Sequence, residues 1–393
     1  MEKRFNGNFT QQEPIPEEGI DAALDVLRSG RLHRYNTVDG EVGETALLEQ
    51  EFAEMVGAKY CLAVASGGYA IAMALRAVGV LSGDTVLSNA FTLAPVPGAI
   101  FSVGAVPIYV GVTQDLTIDL DDLKSKLPQA RFLLLSHMRG HICDMDRLMD
   151  MCREASVTVI EDCAHTMGAS FRGVPSGRHG AVACYSTQTY KHANSGEGGL
   201  LVSDNPEIAA RAILMSGSYM MHGRHIAAPP PEVFERLKYV TPNISGRMDN
   251  LRAAILRPQL RDLPELVERW KVLYRVMEHA LANAPQVVVP KRPQDEAYVG
   301  SSFQFLLPDF SSDTIAGFIK RCENRGVELK WFGEPEPKGF TSRYDSWQFT
   351  SIERMPETDD VLRGLIDMRL PLTFSKRDCE LIAEIICQEL NAG

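Results

Sequence analysis

The chain has 393 residues with 45% hydrophobic and 23% charged content, a net charge of −11 and a pI near 5.4. Those values fit a globular protein with room for two domains, or one large core and a smaller one, and argue against nucleic acid as the main partner. No basic-then-apolar leader is present, the apolar stretch 96–112 is broken by Pro97, Gly98, Gly104 and Pro107, and the eight cysteines form no Cys-x-x-Cys pair, which predicts a cytoplasmic protein with reduced thiols and no membrane span.

In chain order, residues 16–29 read as a helix with Ile20, Ala23, Leu24 and Leu27 on one face, ended by Gly30. Residues 31–44 are polar and irregular, with His33, Arg34, Tyr35 and Asn36 able to reach a ligand. A second helix is expected over 45–56, with Leu47, Leu48, Phe52 and Met55 inward. A strand over 60–65 then meets the turn Ser66-Gly67-Gly68 and a helix over 69–78. A glycine turn feeding a helix start offers free backbone N–H groups, a seat for phosphate; the plainer alternative is a tight turn alone. Neither a G-x-G-x-x-G nor a G-x-x-x-x-G-K pattern occurs, so nicotinamide and nucleoside-triphosphate readings lose their main support.

Strands and helices go on alternating: 85–88, 106–110 and 132–135 as strands, with a helix start near Pro95 and a helix over 119–127. This predicts a mainly parallel α/β sheet flanked by helices. Phe91 either stacks on a flat ligand ring or packs in the core. His137, His141 and Cys143 form the one metal-like constellation, but they sit in a loop containing Gly140 and lack the geometry of a helical H-x-x-x-H pair, so no metal site is expected.

The stretch 157–204 carries the chemistry. A β-branched run ends in Glu161-Asp162 with His165 just beyond; an apolar run over 181–185 ends in Ser186; Lys191 follows, then Gly196-Glu197-Gly198-Gly199 and a third apolar run. Acid, imidazole, hydroxyl and amine thus fall at strand ends, where open α/β sheets hold ligands. The order suits pyridoxal 5'-phosphate. Lys191 lies in a stretch with no other full charge, compatible with the lowered pKa that an amine attacking an aldehyde needs. Asp162 suits the pyridine nitrogen, His165 the ring or its phenolic oxygen, and Ser186 a phosphate oxygen.

Beyond this, a helix over 206–214 leads to a polar loop, 216–225, with Tyr219, His222, Arg224 and His225. Asn243 to Asp249 precedes a helix over 251–260 that Pro258 marks as ending, and a second amphipathic helix covers 263–282. The C-terminal part reads as α+β: a strand over 303–307, a helix over 313–325, an exposed aromatic loop around Trp331 and Trp347, and a closing helix over 375–390. The expected domains are 1–255 and 256–393.

Five stretches together carry a resemblance: LRSGRL, FAEMVGAKYCLAVASGGYAIAMAL, IEDCAHTMGA, YSTQTYKHANSGEGG and NISGRMDNLRAAI. They run nearly end to end, and the chain resembles the DegT/StrS-type sugar aminotransferases among the fold-type-I pyridoxal-phosphate enzymes. The resemblance implies that Lys191 joins the cofactor, Asp162 holds its ring nitrogen, His165 lies near its phenolic oxygen and Phe91 stacks on it. Gly67, Gly68 and Ser186 would hold the phosphate, and Asn243 would reach it from the partner chain of a homodimer with composite sites. Arg34, Tyr35, Arg224 and Arg247 are the candidate substrate contacts. Two departures stand out: Gly68 replaces the family's usual threonine, and the N-I-S-G-R stretch is longer than usual. The implied activity is transfer of an amino group from an amino acid, L-glutamate, to a keto sugar of the cell envelope or lipopolysaccharide. Candidate acceptors are an 8-keto octulosonic acid and a nucleotide-linked keto hexose. The alternatives are a same-fold sugar dehydratase, with histidine in the lysine's place, and a non-catalytic regulatory member.

Overall fold

The computed structural model describes residues 3–38 and 40–392. Met1, Glu2, Asp39 and Gly393 lie outside the described residues, and with them the two outer ends of the expected domains and one position of the polar stretch 31–44. Seven strands form the main sheet: β1 (Tyr60–Val64), β2 (Thr85–Asn89), β3 (Val106–Val110), β4 (Phe132–Ser136), β5 (Thr158–Asp162), β6 (Val182–Ser186) and β7 (Gly199–Ser203). Their order is β1-β7-β6-β5-β4-β2-β3. Pairings among β2 to β6 are parallel, whereas β7 runs antiparallel to both neighbours. β4, β6 and β7 are buried along their whole length, which is why they read as continuous apolar runs and not as alternating ones. Helices cover both faces. α1 (Glu17–Ser29) and α2 (Glu44–Val56) precede the sheet, and α3 (Gly67–Ala77) and α4 (Pro95–Ser102) follow β1 and β2. Met55, expected inward, is 38% exposed, while Glu49 is fully buried on the same helix.

Parallel strands bring their carboxyl ends to one edge of the sheet. Ser136 pairs in register with Asp162, and Asp162 with Cys184, so three consecutive strands end side by side. β7 closes the edge by passing against the turn before α3. A Cβ on Gly199 would lie 2.4 Å from the Ser66 carbonyl oxygen, and one on Gly67 would lie 2.8 Å from Ser186 Cβ. Only glycine permits that approach.

The helix expected to stop at Pro258 does not. α5 runs unbroken over Asn250–Leu281, 32 residues, with Pro258 and Pro264 inside. Each proline removes one N–H from the ladder, but α1 and α2 pack along this helix, and Leu256, Pro258, Leu260 and Leu263 are buried. Burial on that face outweighs the lost hydrogen bonds. The junction expected between residues 255 and 256 falls inside α5. Farther along, Leu273, Tyr274, Met277 and Leu281 enter a second core, shared with a three-stranded antiparallel sheet. That sheet has the order β8 (Ser302–Leu306), β10 (Leu365–Arg369), β9 (Lys330–Trp331). Trp331 and Trp347, expected in an exposed loop, are both buried, at 5% and 4% exposure. The Trp331 indole N–H donates to the Arg363 carbonyl at 2.7 Å, which lets the ring enter the core with its one donor satisfied.

Candidate active site

Asp162 ends β5 as a buried carboxylate. Its Oδ1 accepts from the Ala164 N–H at 3.1 Å and its Oδ2 from the Ser136 hydroxyl at 2.9 Å. Ser136 is itself fixed: Thr92 Oγ1 donates to its Oγ at 2.9 Å, and the Asn89 amide bridges its N–H and C=O at 2.9 and 3.0 Å. Burial pushes the Asp162 pKa up, against the pull of the Ala164 N–H and the Lys191 charge. A buried carboxylate in that position suits a cationic partner such as a protonated ring nitrogen.

Lys191 stands on the loop between β6 and β7. The loop is closed by Thr187 and Ser195, whose backbones bond at 2.9 Å and whose hydroxyls lie 2.8 Å apart. It is tied to α5 by Gln259, which binds Asn194 on both sides. The residue is half-buried, but its amine end is enclosed, and Nζ lies 3.0 Å from His165 Nε2. Burial first, and then the Arg139 charge, lower the Lys191 pKa from 10.5 to about 7. Burial and the Lys191 charge likewise hold His165 well below its ordinary value, so it is a neutral neighbour. A large fraction of Lys191 is therefore the free amine near neutral pH.

Opposite them lies the start of α3, capped by the Ser66 hydroxyl, which accepts from the Tyr69 N–H at 3.1 Å. Gly67, Gly68 and Ser186 line one cavity of about 710 Å³ together with His165 and Lys191. A narrower recess, walled by Leu93 and Ala164, runs from there to Asp162. An anion seat, an enclosed amine and a buried acid thus open on one connected space. The residues present fit pyridoxal phosphate.

A family model, the DegT/DnrJ/EryC1/StrS aminotransferases, matches residues 14–386. The chain belongs to that family. Pyridoxal phosphate is the family's cofactor. An L-glutamine:scyllo-inosose aminotransferase from Streptomyces griseus is 32% identical over 250 residues, 62% of this chain and 58% of that protein. The match therefore spans less than two thirds of that relative's length. Among solved structures, the aminotransferase TlmJ from Streptoalloteichus hindustanus superposes with a TM-score of 0.82 at 22% identity, covering 99% of both chains. A GDP-4-keto-6-deoxymannose-3-dehydratase superposes with a TM-score of 0.83 at 17% identity, covering 97% of this chain and 100% of that one. These likenesses show the fold, a fold-type-I α/β architecture.

In this DegT/DnrJ/EryC1/StrS chain, Lys191, His165, Asp162, Ser186, Gly67 and Gly68 come together as the sequence led one to expect. Phe91 does not join them: it is buried edge-on against Phe332 at 5.2 Å, and Leu93, two residues on, lines the cavity in its stead. Arg34 and Tyr35 belong to a separate cluster. Arg34 makes a bidentate pair with Glu49 at 2.7 and 2.8 Å, His225 Nδ1 lies 3.1 Å from the same carboxylate, and the Tyr35 hydroxyl lies 2.7 Å from His225 Nε2. Arg224 donates to the Tyr35 carbonyl, and Arg247 to the carbonyls of Ser216 and Gly217 at 3.3 and 3.0 Å. Asn243 is exposed and lines no cavity with Lys191 in this chain.

His137 faces Glu161 at 3.1 Å, and His141 faces Gln304 at 2.9 Å. Glu161 also accepts from the N–H groups of Gly177, His179 and Gly180, so the group His137, Glu161 and Cys163 reads as a satisfied core network, not a metal site. Arg139, Tyr190 and Arg369 line the Lys191 cavity without having been anticipated. Arg139 follows β4 just before Gly140 and could have been found there. Arg369 sits on β10, a strand whose sequence, LIDMR, has no clear alternation.

Proposed function

We propose that the chain transfers an amino group from an amino acid, L-glutamate, to a keto sugar of cell-envelope biosynthesis. The observation that carries this is Lys191, an enclosed amine of pKa about 7, 3.0 Å from a neutral imidazole and sharing a recess with a buried acid. Asp162 would hold the ring nitrogen, and Gly67, Gly68 and Ser186 the phosphate, with Leu93 as an apolar wall. Pyridoxal phosphate supplies an aldehyde and a ring that stabilises negative charge on the donor's α-carbon. Lys191 Nζ is the group placed to take up and return a proton, and its depressed pKa keeps it competent as a base. His165 holds that amine without adding charge, and Ser136 keeps Asp162 oriented.

The dehydratase alternative needs an imidazole where Lys191 stands. His192 is engaged elsewhere, with Nε2 2.9 Å from Ser301 Oγ and its ring 5.3 Å from Trp270, which supports the transaminase reading. The regulatory reading has no use for a depressed amine beside an anion seat. A homodimer with composite sites is supported by the exposure of Asn243 away from its own chain's cavity. A cytoplasmic setting is supported by eight unpaired thiols and by the lack, among the described residues, of any helix apolar enough to cross a membrane. The acceptors that suit are an 8-keto octulosonic acid and a nucleotide-linked keto hexose; competition by millimolar free UDP or TDP separates them, because only the second reading predicts inhibition. The activity itself is tested by mixing cofactor-loaded protein with L-glutamate. About one equivalent of 2-oxoglutarate per site should appear without acceptor, and none from Lys191→Ala. Equal release from both proteins would refute the proposal.

A further inference from the structure

Positive charge gathers on one side of the Lys191 cavity in a chain that is acidic overall. Arg139 is 8% exposed and holds a left-handed backbone (φ 54°, ψ 20°). Its Nη2 comes to 2.8 Å from Asp367 Oδ2 but poorly aligned, leaving Nε and Nη2 without a proper acceptor. The Arg369 guanidinium sits over the Tyr190 ring, its Cζ 3.7 Å from the centroid. The buried Lys330 Nζ has no hydrogen-bond partner and sits 5.5 Å from the Phe340 ring centroid. Among the described residues, no carboxylate comes within ion-pair distance of Arg369 or Lys330. Asp367 and Glu328 are the acids that attract Lys330, and Glu197, an exposed side chain, lines the inner cavity.

Position adds to charge. A second cavity, of about 840 Å³, adjoins the first, and Tyr190, Phe340 and Arg369 line both. In that outer cavity Lys338 pairs with Glu334 and Lys320 with Glu323, whereas Lys330 and Arg369, which also line it, make no ion pair among the described residues. Arg369 lies where the cavities meet, with Lys330 on the outer side and Arg139 and Lys191 on the inner side. Arg369, with one face of its guanidinium covered by Tyr190, keeps N–H groups for planar, bidentate recognition.

We propose that Arg369 and Lys330, backed by Arg139, form an anion subsite that takes a substrate carboxylate, the donor's or that of a sugar-acid acceptor. The assignment rests on the transaminase reading, but it is tested without turnover. Glutarate imitates a dicarboxylate donor and D-gluconate a sugar-acid acceptor, and neither reacts. Each is titrated calorimetrically, at fixed ionic strength, into the protein before and after cofactor loading, with sorbitol as the uncharged control. Both Arg369→Gln and Lys330→Met should weaken binding of at least one acid about tenfold, and Arg369→Lys should recover part of the loss. Weakened glutarate binding identifies the donor's carboxylate, weakened gluconate binding the acceptor's, and neither should alter sorbitol. Unchanged binding of both acids in both variants would overturn the subsite. If the acids bind as expected but glutamate releases no 2-oxoglutarate, the transaminase reading fails and the subsite stands.

Discussion

Two of the groups of enclosed cations in this molecule differ in what faces them. Around Arg34, the Glu49 carboxylate takes both guanidinium arms, His225 and the Ala63 N–H, tying α2 to β1 and to the loop before it. Near Lys191, Arg139 and Arg369 open on its cavity and Lys330 on the adjoining one, with Asp367 close to all three. The first arrangement holds parts of the fold together, its arginine matched by a carboxylate. The second leaves charge unanswered, which costs stability unless an anion arrives. Arginine near a cavity is therefore not the useful sign; arginine without its carboxylate is.

The contrast can be tested from both sides. The largest effect belongs to the open group: Lys191→Ala should lower turnover by at least roughly 10²- to 10⁴-fold while leaving the melting temperature unchanged or higher, as measured by 2-oxoglutarate release and calorimetry. Next comes the closed group. Glu49→Ala strands Arg34 and should cost about 3–5 kcal/mol of stability in urea unfolding; a loss confined to substrate binding would make this cluster functional after all. Ser136→Ala removes one donor from Asp162 and should weaken cofactor binding roughly tenfold, read from fluorescence titration. The smallest effect is Gly68→Thr. A Cβ there meets only Pro95 at 3.6 Å, so the hydroxyl should be accommodated and tighten cofactor binding about threefold.

The pH dependence separates the groups again, although both pKa values are depressed. Glu49 falls from 4.5 to about 2, the pairing with Arg34 and His225 overcoming the cost of burial. Its stabilisation is complete above pH 4.5 and is lost as pH falls toward about 2. Lys191 falls from 10.5 to about 7. Between those values the unfolded chain binds a proton that the folded one does not, so the apoprotein's stability should rise with pH across that window, and Lys191→Met should flatten the rise.

The sequence reveals the Lys191 site because each of its residues lies at the end of an apolar run, and short-range pattern is what a sequence displays. Gly67 was legible as part of a glycine turn feeding a helix, whereas the close approach of Gly199 to the Ser66 carbonyl was not. The closed group was not legible. Arg34 meets Glu49 on the next helix and His225 some 191 positions away, and nothing local marks Glu49 as buried. Phe91 and Leu93 differ by two positions past a strand end, too little for pattern to choose between core and cavity. Trp331 and Trp347 looked exposed in a polar context, yet core packing took both. α5 runs through its prolines because tertiary burial there outweighs local preference.

The central claim is that Lys191, and no other amine, joins the cofactor. Apoprotein loaded with pyridoxal phosphate at pH 7.5 should be reduced with borohydride, digested, and the modified peptide identified by mass spectrometry. The account predicts the label on Lys191, with uptake rising through about pH 7 as the amine loses its proton. Lys330 is the informative rival, since its pKa is also lowered, to about 8. A label on Lys330, or on no lysine at all, would contradict the account.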